Sequence, residues 1–140
     1  MTLKNLEQLV ETGQLKKEPF DQAEFDGLVH SGRARLSDSR QTMLSMESRF
    51  DLAYNAAHAL SQAALRLKGY RSESRYLVFQ CLPHTLGLAP EVWRLLIHCH
   101  GIRNRGEYEG IYDVDEQLVT NLIKATEQVL EALEKLSPLP

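Results

Sequence analysis

No apolar run in the chain approaches the roughly 20 residues that a membrane span needs, so nothing here reads as a membrane protein. The opening stretch, Met1-Thr2-Leu3-Lys4-Asn5-Leu6-Glu7, carries no apolar signal core and no cleavage-site pattern, and the expected location is cytoplasmic. Cysteine is scarce. The two residues, Cys81 and Cys99, lie inside apolar stretches and are expected to be reduced core thiols rather than a disulfide. There is no excess of positive charge: the formal net charge is −3. That speaks against a dedicated DNA-coating protein but leaves room for a local basic groove. No glycine-rich phosphate loop and no nucleophile elbow is present, and no motif calls for a cofactor. Stretches alternating with period two are too short for a sheet, so strand content near zero is expected.

What is present is helical periodicity. With 140 residues, 43% of them hydrophobic, the chain has the length and the material for one packed domain. Residues 1–20 read as a short N-terminal helix and a connector, closed by Gly13 and by Lys16-Lys17-Glu18-Pro19. Residues 21–136 read as the bundle. Asp21 with Glu24 forms a capping box for a helix whose buried stripe is Phe25, Leu28, Val29, Gly32, Leu36, Ser39, Met43 and Met46. A second helix runs from about Glu47 to Lys68, with Phe50, Ala53, Tyr54, Ala57, Leu60, Ala64 and Leu67 on its inner face. Its many alanines favour the helix and allow close approach of neighbours. Gly69 ends it. Pro83 splits or kinks the following segment, and Pro90 opens the next helix. Asp113 with Glu116 reads as a second capping box, before a last helix with the stripe Leu118, Leu122, Ala125, Val129, Ala132 and Leu136. The expectation is an all-α bundle of four to five helices.

The segment from Trp93 to Tyr112 is the richest in chemistry. If its helix continues, His100, Asn104 and Tyr108 share one face at four-residue steps, with Arg103 beside them. An imidazole, an amide, a phenol and a guanidinium suit a phosphate-bearing ligand, and histidine is the usual acid or base near neutral pH. The plainer alternative is a solvated face with Arg103 or Arg105 paired to acids of the last helix. His98-x-His100 beside Cys99 could suggest a metal, but residues two apart on a helix point in different directions. His58 reads first as a core or rim histidine.

These residues carry a resemblance. Arg49-Phe50-Asp51-Leu52-Ala53-Tyr54-Asn55-Ala56-Ala57-His58, closed by Lys68-Gly69-Tyr70-Arg71, resembles the first core helix of HEPN domains. Arg103-Asn104-Arg105-Gly106-Glu107-Tyr108 resembles their signature near the end of a later helix. The resemblance spans about residues 45 to 136. It implies a helical bundle that forms a homodimer, with two copies of the signature meeting in a composite site. It also implies a metal-independent ribonuclease class, in which Arg103 matches the arginine and Asn104 the polar residue. Tyr108 stands where the family has histidine, and His100, one turn before Arg103, is the substitute base to consider. Some HEPN proteins are toxins silenced by a partner nucleotidyltransferase that modifies a tyrosine; the matching position here is Gly110.

The sequence therefore leads to an RNA- or nucleotide-binding protein of toxin–antitoxin or defence type, with Arg103, Asn104 and Tyr108 at its site and ribonuclease activity weak or lost. A non-enzymatic module working with a partner protein, such as a nucleotidyltransferase or an antitoxin, is the main rival. A small-molecule binder using a pocket between helices is the third.

Overall fold

A computed structural model describes residues 2–136, with side chains from residue 5 onward. The chain forms α1 (Thr2–Glu11), β1 (Lys16–Lys17), α2 (Gln22–Ser39), α3 (Met46–Leu67), β2 (Tyr70–Arg71), α4 (Arg75–Gln80), α5 (Leu82–Thr85), α6 (Pro90–Glu109) and α7 (Glu116–Leu136). Helix α3 is the axis. It packs against α2, α4, α5, α6 and α7 and against β2. Its alanines make this reachable: Ala53, Ala56, Ala57, Ala63 and Ala64 are all fully buried, and side chains this short let several helices approach one face. The closest approach is at Gly32 of α2, where an added Cβ would lie 2.6 Å from Leu60 Cγ. Thr126 of α7 donates from Oγ1 to the Ala53 carbonyl at 3.4 Å, tying a third helix to the same stretch.

Two apolar clusters result. The larger one joins α2, α3, α6 and α7 through Phe25, Leu36, Phe50, Leu60, Leu96, Leu122 and Val129. The smaller one seats α1 against the far end of α3 through Leu6, Leu15, Leu65, Tyr70, Leu77 and Cys81. Cys81 and Cys99 are both free and buried, as expected for core thiols. Among the described residues no helix is long and apolar enough to cross a membrane.

Several local expectations need correction. The connector Lys16–Lys17 pairs antiparallel with Tyr70–Arg71, so a two-residue ladder is present where none was expected. Its cause is Arg66, whose side chain is 1% exposed. Arg66 donates to the carbonyls of Glu18 (3.0 Å), Pro19 (2.6 Å) and Tyr70 (3.2 Å) and to Glu24 Oε1 (2.5 Å). The guanidinium thereby draws the connector onto the end of α3. Glu24 is consequently not a capping-box partner: its carboxylate holds Arg66 and Arg71, while Asp21 alone caps α2 by accepting from Ala23 N. Helix α2 stops at Ser39, and Met43 lies in the following turn at 97% exposure. Met46 opens α3 behind the cap Ser45, whose Oγ accepts from Ser48 N at 3.1 Å. Helix α7 is capped by Asp115, which accepts from Leu118 N at 2.8 Å, and not by Asp113. Its buried face is accordingly Val119, Leu122, Ile123, Thr126, Val129 and Leu133, and Leu136 is exposed. Pro83 does divide its segment, into α4 and α5, and Pro90 is the first residue of α6.

Removing Arg66 leaves three carbonyls without their guanidinium donor, that of Tyr70 in a buried place, and leaves Glu24 to Arg71 alone. Arg66→Ala is expected to lower unfolding free energy by about 3 kcal/mol or more, measured by urea denaturation. A loss below about 1 kcal/mol, the size of an exposed pair, would contradict this role.

Candidate functional site

Helices α3, α4 and α6 meet around the ring of Tyr54, which is fully buried. The ring lies 6.4 Å from Phe50, nearly parallel, and 5.8 Å from Phe79, edge-on. Those contacts fix it as a core residue. Its hydroxyl, at the other end, reaches the surface cluster and lies 2.8 Å from His100 Nδ1. Burial, partly offset by a hydrogen bond from Arg75, raises the Tyr54 phenol above its ordinary pKa, so it stays protonated.

His100 is held at both nitrogens. Asn104 Nδ2 lies 3.3 Å from Nε2, four residues along α6. With that amide donating to Nε2, the neutral ring carries its hydrogen on Nδ1 and donates it to Tyr54 Oη. Reversing the amide reverses both bonds and lets the Tyr54 hydroxyl donate to Nδ1. In either arrangement the imidazole is neutral and oriented. Burial, then the positive fields of Arg103 and Arg75, push its pKa below the usual 6.5.

Two guanidinium groups share the Tyr54 ring. Arg103 Cζ lies 5.5 Å from its centroid and Arg75 Cζ 5.7 Å. Arg103 has an acidic neighbour in Glu107, at 3.3 Å on its own helix. Arg75 donates to Asn55 Oδ1 at 3.1 Å, and Asn55 is itself anchored to the Asp51 carbonyl. Among the described residues Arg75 forms no salt bridge with a carboxylate. A half-buried cation with only neutral partners leaves local positive charge to be met by a ligand. The same field reaches His58, edge-on to Phe79 at 6.0 Å. Burial first, then Arg75, Arg103 and His100, lower its pKa to about 4.

The rim is set by Gly106. An added Cβ there would lie 2.3 Å from the Tyr112 ring, so only glycine lets the loop after α6 fold back onto the helix. Tyr112 hydrogen-bonds Asp51, whose pKa is nonetheless raised, chiefly by burial, against the pull of Arg103.

Of the sequence-derived site residues, Arg103, Asn104 and His100 come together here. Tyr108 lies one turn further along α6 at 86% exposure, and among the described residues no hydrogen bond or ring contact joins it to the cluster. Arg103 and Arg105 do not pair with the last helix; their acids are Glu107 and Glu109 at i+4. His98 lines a separate cleft of about 340 Å³ with Arg105, Asp113 and Asp115, on a different side of α6 from His100. Among the described residues no group of three or more His, Cys, Asp or Glu is placed to hold a metal ion. Sequence reasoning missed Arg75, Asn55 and Tyr76, and gave Tyr54 only a core role. The available signal was Tyr54-Asn55-x-x-His58, which puts three polar groups within about one turn of α3. A scan against protein-family models gives no match for this chain, and a search of curated proteins gives none.

The histidines make stability depend on pH. A histidine with a native pKa below its unfolded value binds its proton more weakly when folded. Its contribution is therefore complete above about pH 6.5 and is lost as the pH falls toward the native value, about 4 for His58. Between pH 7 and pH 5 the wild type should lose about 1–2 kcal/mol, read by urea denaturation at each pH. His58→Gln should flatten much of that slope. An unchanged slope in that variant would remove His58 from the account.

Proposed function

We propose that this chain is a HEPN-like protein that binds RNA or a nucleotide through its phosphate, at the cluster of Arg103, Arg75, Asn104 and His100 around Tyr54. The observation that carries this reading is the pair of guanidiniums on one ring, one of them without an acid partner among the described residues. Guanidinium forks take phosphate oxygens bidentately. The resemblance adds support from an independent direction. Parts of its two halves, Tyr54 from the first and Arg103 from the second, are far apart in sequence and adjacent in space, whereas Tyr108 of the second half stands apart.

In the homodimer that the resemblance implies, Tyr108 contributes from its exposed position. Cleavage through a 2′-hydroxyl needs a base in addition to phosphate binding. His100 is the imidazole at the cluster, and to act as the base it must first give up its bond to Asn104 at Nε2 or to Tyr54 at Nδ1. That imidazole is the basis for a toxin- or defence-type ribonuclease reading. The second reading, a protein-interaction module, is favoured by Tyr108 and Ile111, both exposed near the end of α6. It fits a partner such as a nucleotidyltransferase or an antitoxin.

The test is RNA binding by fluorescence anisotropy at several salt concentrations, with a cleavage assay in EDTA alongside. Arg103→Ala should weaken binding about tenfold, reduce the salt slope by about one, and leave the melting temperature within a few degrees of wild type. Any EDTA-resistant cleavage should disappear with it. If Arg103→Ala unfolds the domain, the arginine is a structural partner and the assignment fails. Absence of RNA binding by the wild type leaves the interaction module.

A further inference from the structure

Next to Arg75 on α4 stands Tyr76, a large aromatic side chain that is 46% exposed. Its ring centroid lies 6.3 Å from that of His100, tilted by 57°. It therefore borders the cationic cluster and belongs to neither apolar core. An exposed phenol ring beside a guanidinium that has no carboxylate partner among the described residues is the pairing that a single nucleotide needs: a fork for the phosphate and a flat surface for the base.

On the basis of the phosphate-site reading above, we propose that Arg75 and Tyr76 form a nucleotide-recognition subsite on α4. Arg75 acts with Arg103 on one phosphate, and Tyr76 stacks the adjoining base. Arg75 is shared with the phosphate site proposed above; Tyr76 lies outside that cluster and outside the Arg103–Tyr108 signature, and it is what this subsite adds. The arrangement has a consequence for specificity. A ring at the edge of the cluster can stack a base only when that base has left its own helical stack. The preferred ligand is therefore a nucleotide in an unpaired strand, recognised by its π-face and not by its hydrogen-bonding edge.

The neighbouring groups agree with this assignment. The Tyr54 ring and Asn55 hold Arg75 in place without neutralising it. Ser74 caps α4 by accepting from Leu77 N at 3.2 Å, which fixes where Arg75 and Tyr76 emerge from the preceding turn. Leu77, Val78 and Phe79 are buried behind them, so the pair sits on a rigid base.

The experiment compares two labelled probes by fluorescence anisotropy, with EDTA present. One is a short single-stranded RNA, and the other is the same ribose–phosphate strand without bases. Wild type should prefer the base-bearing strand by about tenfold, the size of one aromatic–base stack. Tyr76→Phe should keep that preference. Tyr76→Ala and Tyr76→Leu should reduce it to about twofold or less while binding the abasic strand as wild type does. Arg75→Ala should weaken both probes about equally, as loss of a phosphate contact does. Retention of the full preference in Tyr76→Ala and Tyr76→Leu would overturn the subsite while leaving the phosphate site intact. Failure of the wild type to bind either strand would overturn the phosphate-site reading itself and the subsite with it. Because Tyr76 is exposed, its variants should melt with the wild type, and the leucine variant keeps the apolar bulk.

Discussion

The buried ring of Tyr54 is the constraint on which the site depends. One side chain is at once a core residue, packed between Phe50 and Phe79, and the bonding partner of His100. The residues beside it on α3, Ala53, Ala56 and Ala57, are small and fully buried, and Arg75 of α4 and Arg103 of α6 lie within 5.7 Å of the ring centroid. The positions of the polar groups thus follow from helix packing. The cluster is preorganised by the core, and little ordering is left to be done when a ligand arrives.

Two stretches of α3 show arginines whose charge is met within the fold to different degrees. At the C-terminal end, Arg66 and Arg71 face Glu18 and Glu24, and Arg66 also takes three backbone carbonyls. Their charge is fully answered within the fold. In the middle of α3, Arg75 meets an amide and an aromatic ring, and Arg103 shares a single exposed acid. Both His58 and His100 are harder to protonate than a free imidazole, first because they are buried and then because the guanidiniums oppose a further positive charge.

Much of the architecture was legible in the chain. Period 3.6 located the long helices, and Gly69, Pro83 and Pro90 marked their breaks because each restricts or frees the backbone in a known way. The spacing of His100 and Asn104 put them on one helix face, where they come within 3.3 Å. Tertiary competition was not legible. Glu24 fits a capping box by spacing but is taken by Arg66, and Asp113 fits a cap that Asp115 makes instead. Met43 fits the stripe of a helix that has already ended. Arg75 and Tyr76 were invisible because α4 has only six residues, too few to show a periodic face. Their role comes from a contact between elements, and no local pattern encodes it.

The most direct test follows the imidazole itself. Proton NMR titration of the His100 ring in the free protein, and again with saturating single-stranded RNA, reads the burial of the ring and the field that the two guanidiniums add to it. The account predicts a free-state pKa below 6.5 and an upward shift when RNA phosphate enters the cluster. A free-state value at or above that of an isolated imidazole, or a value unmoved by RNA, would contradict it.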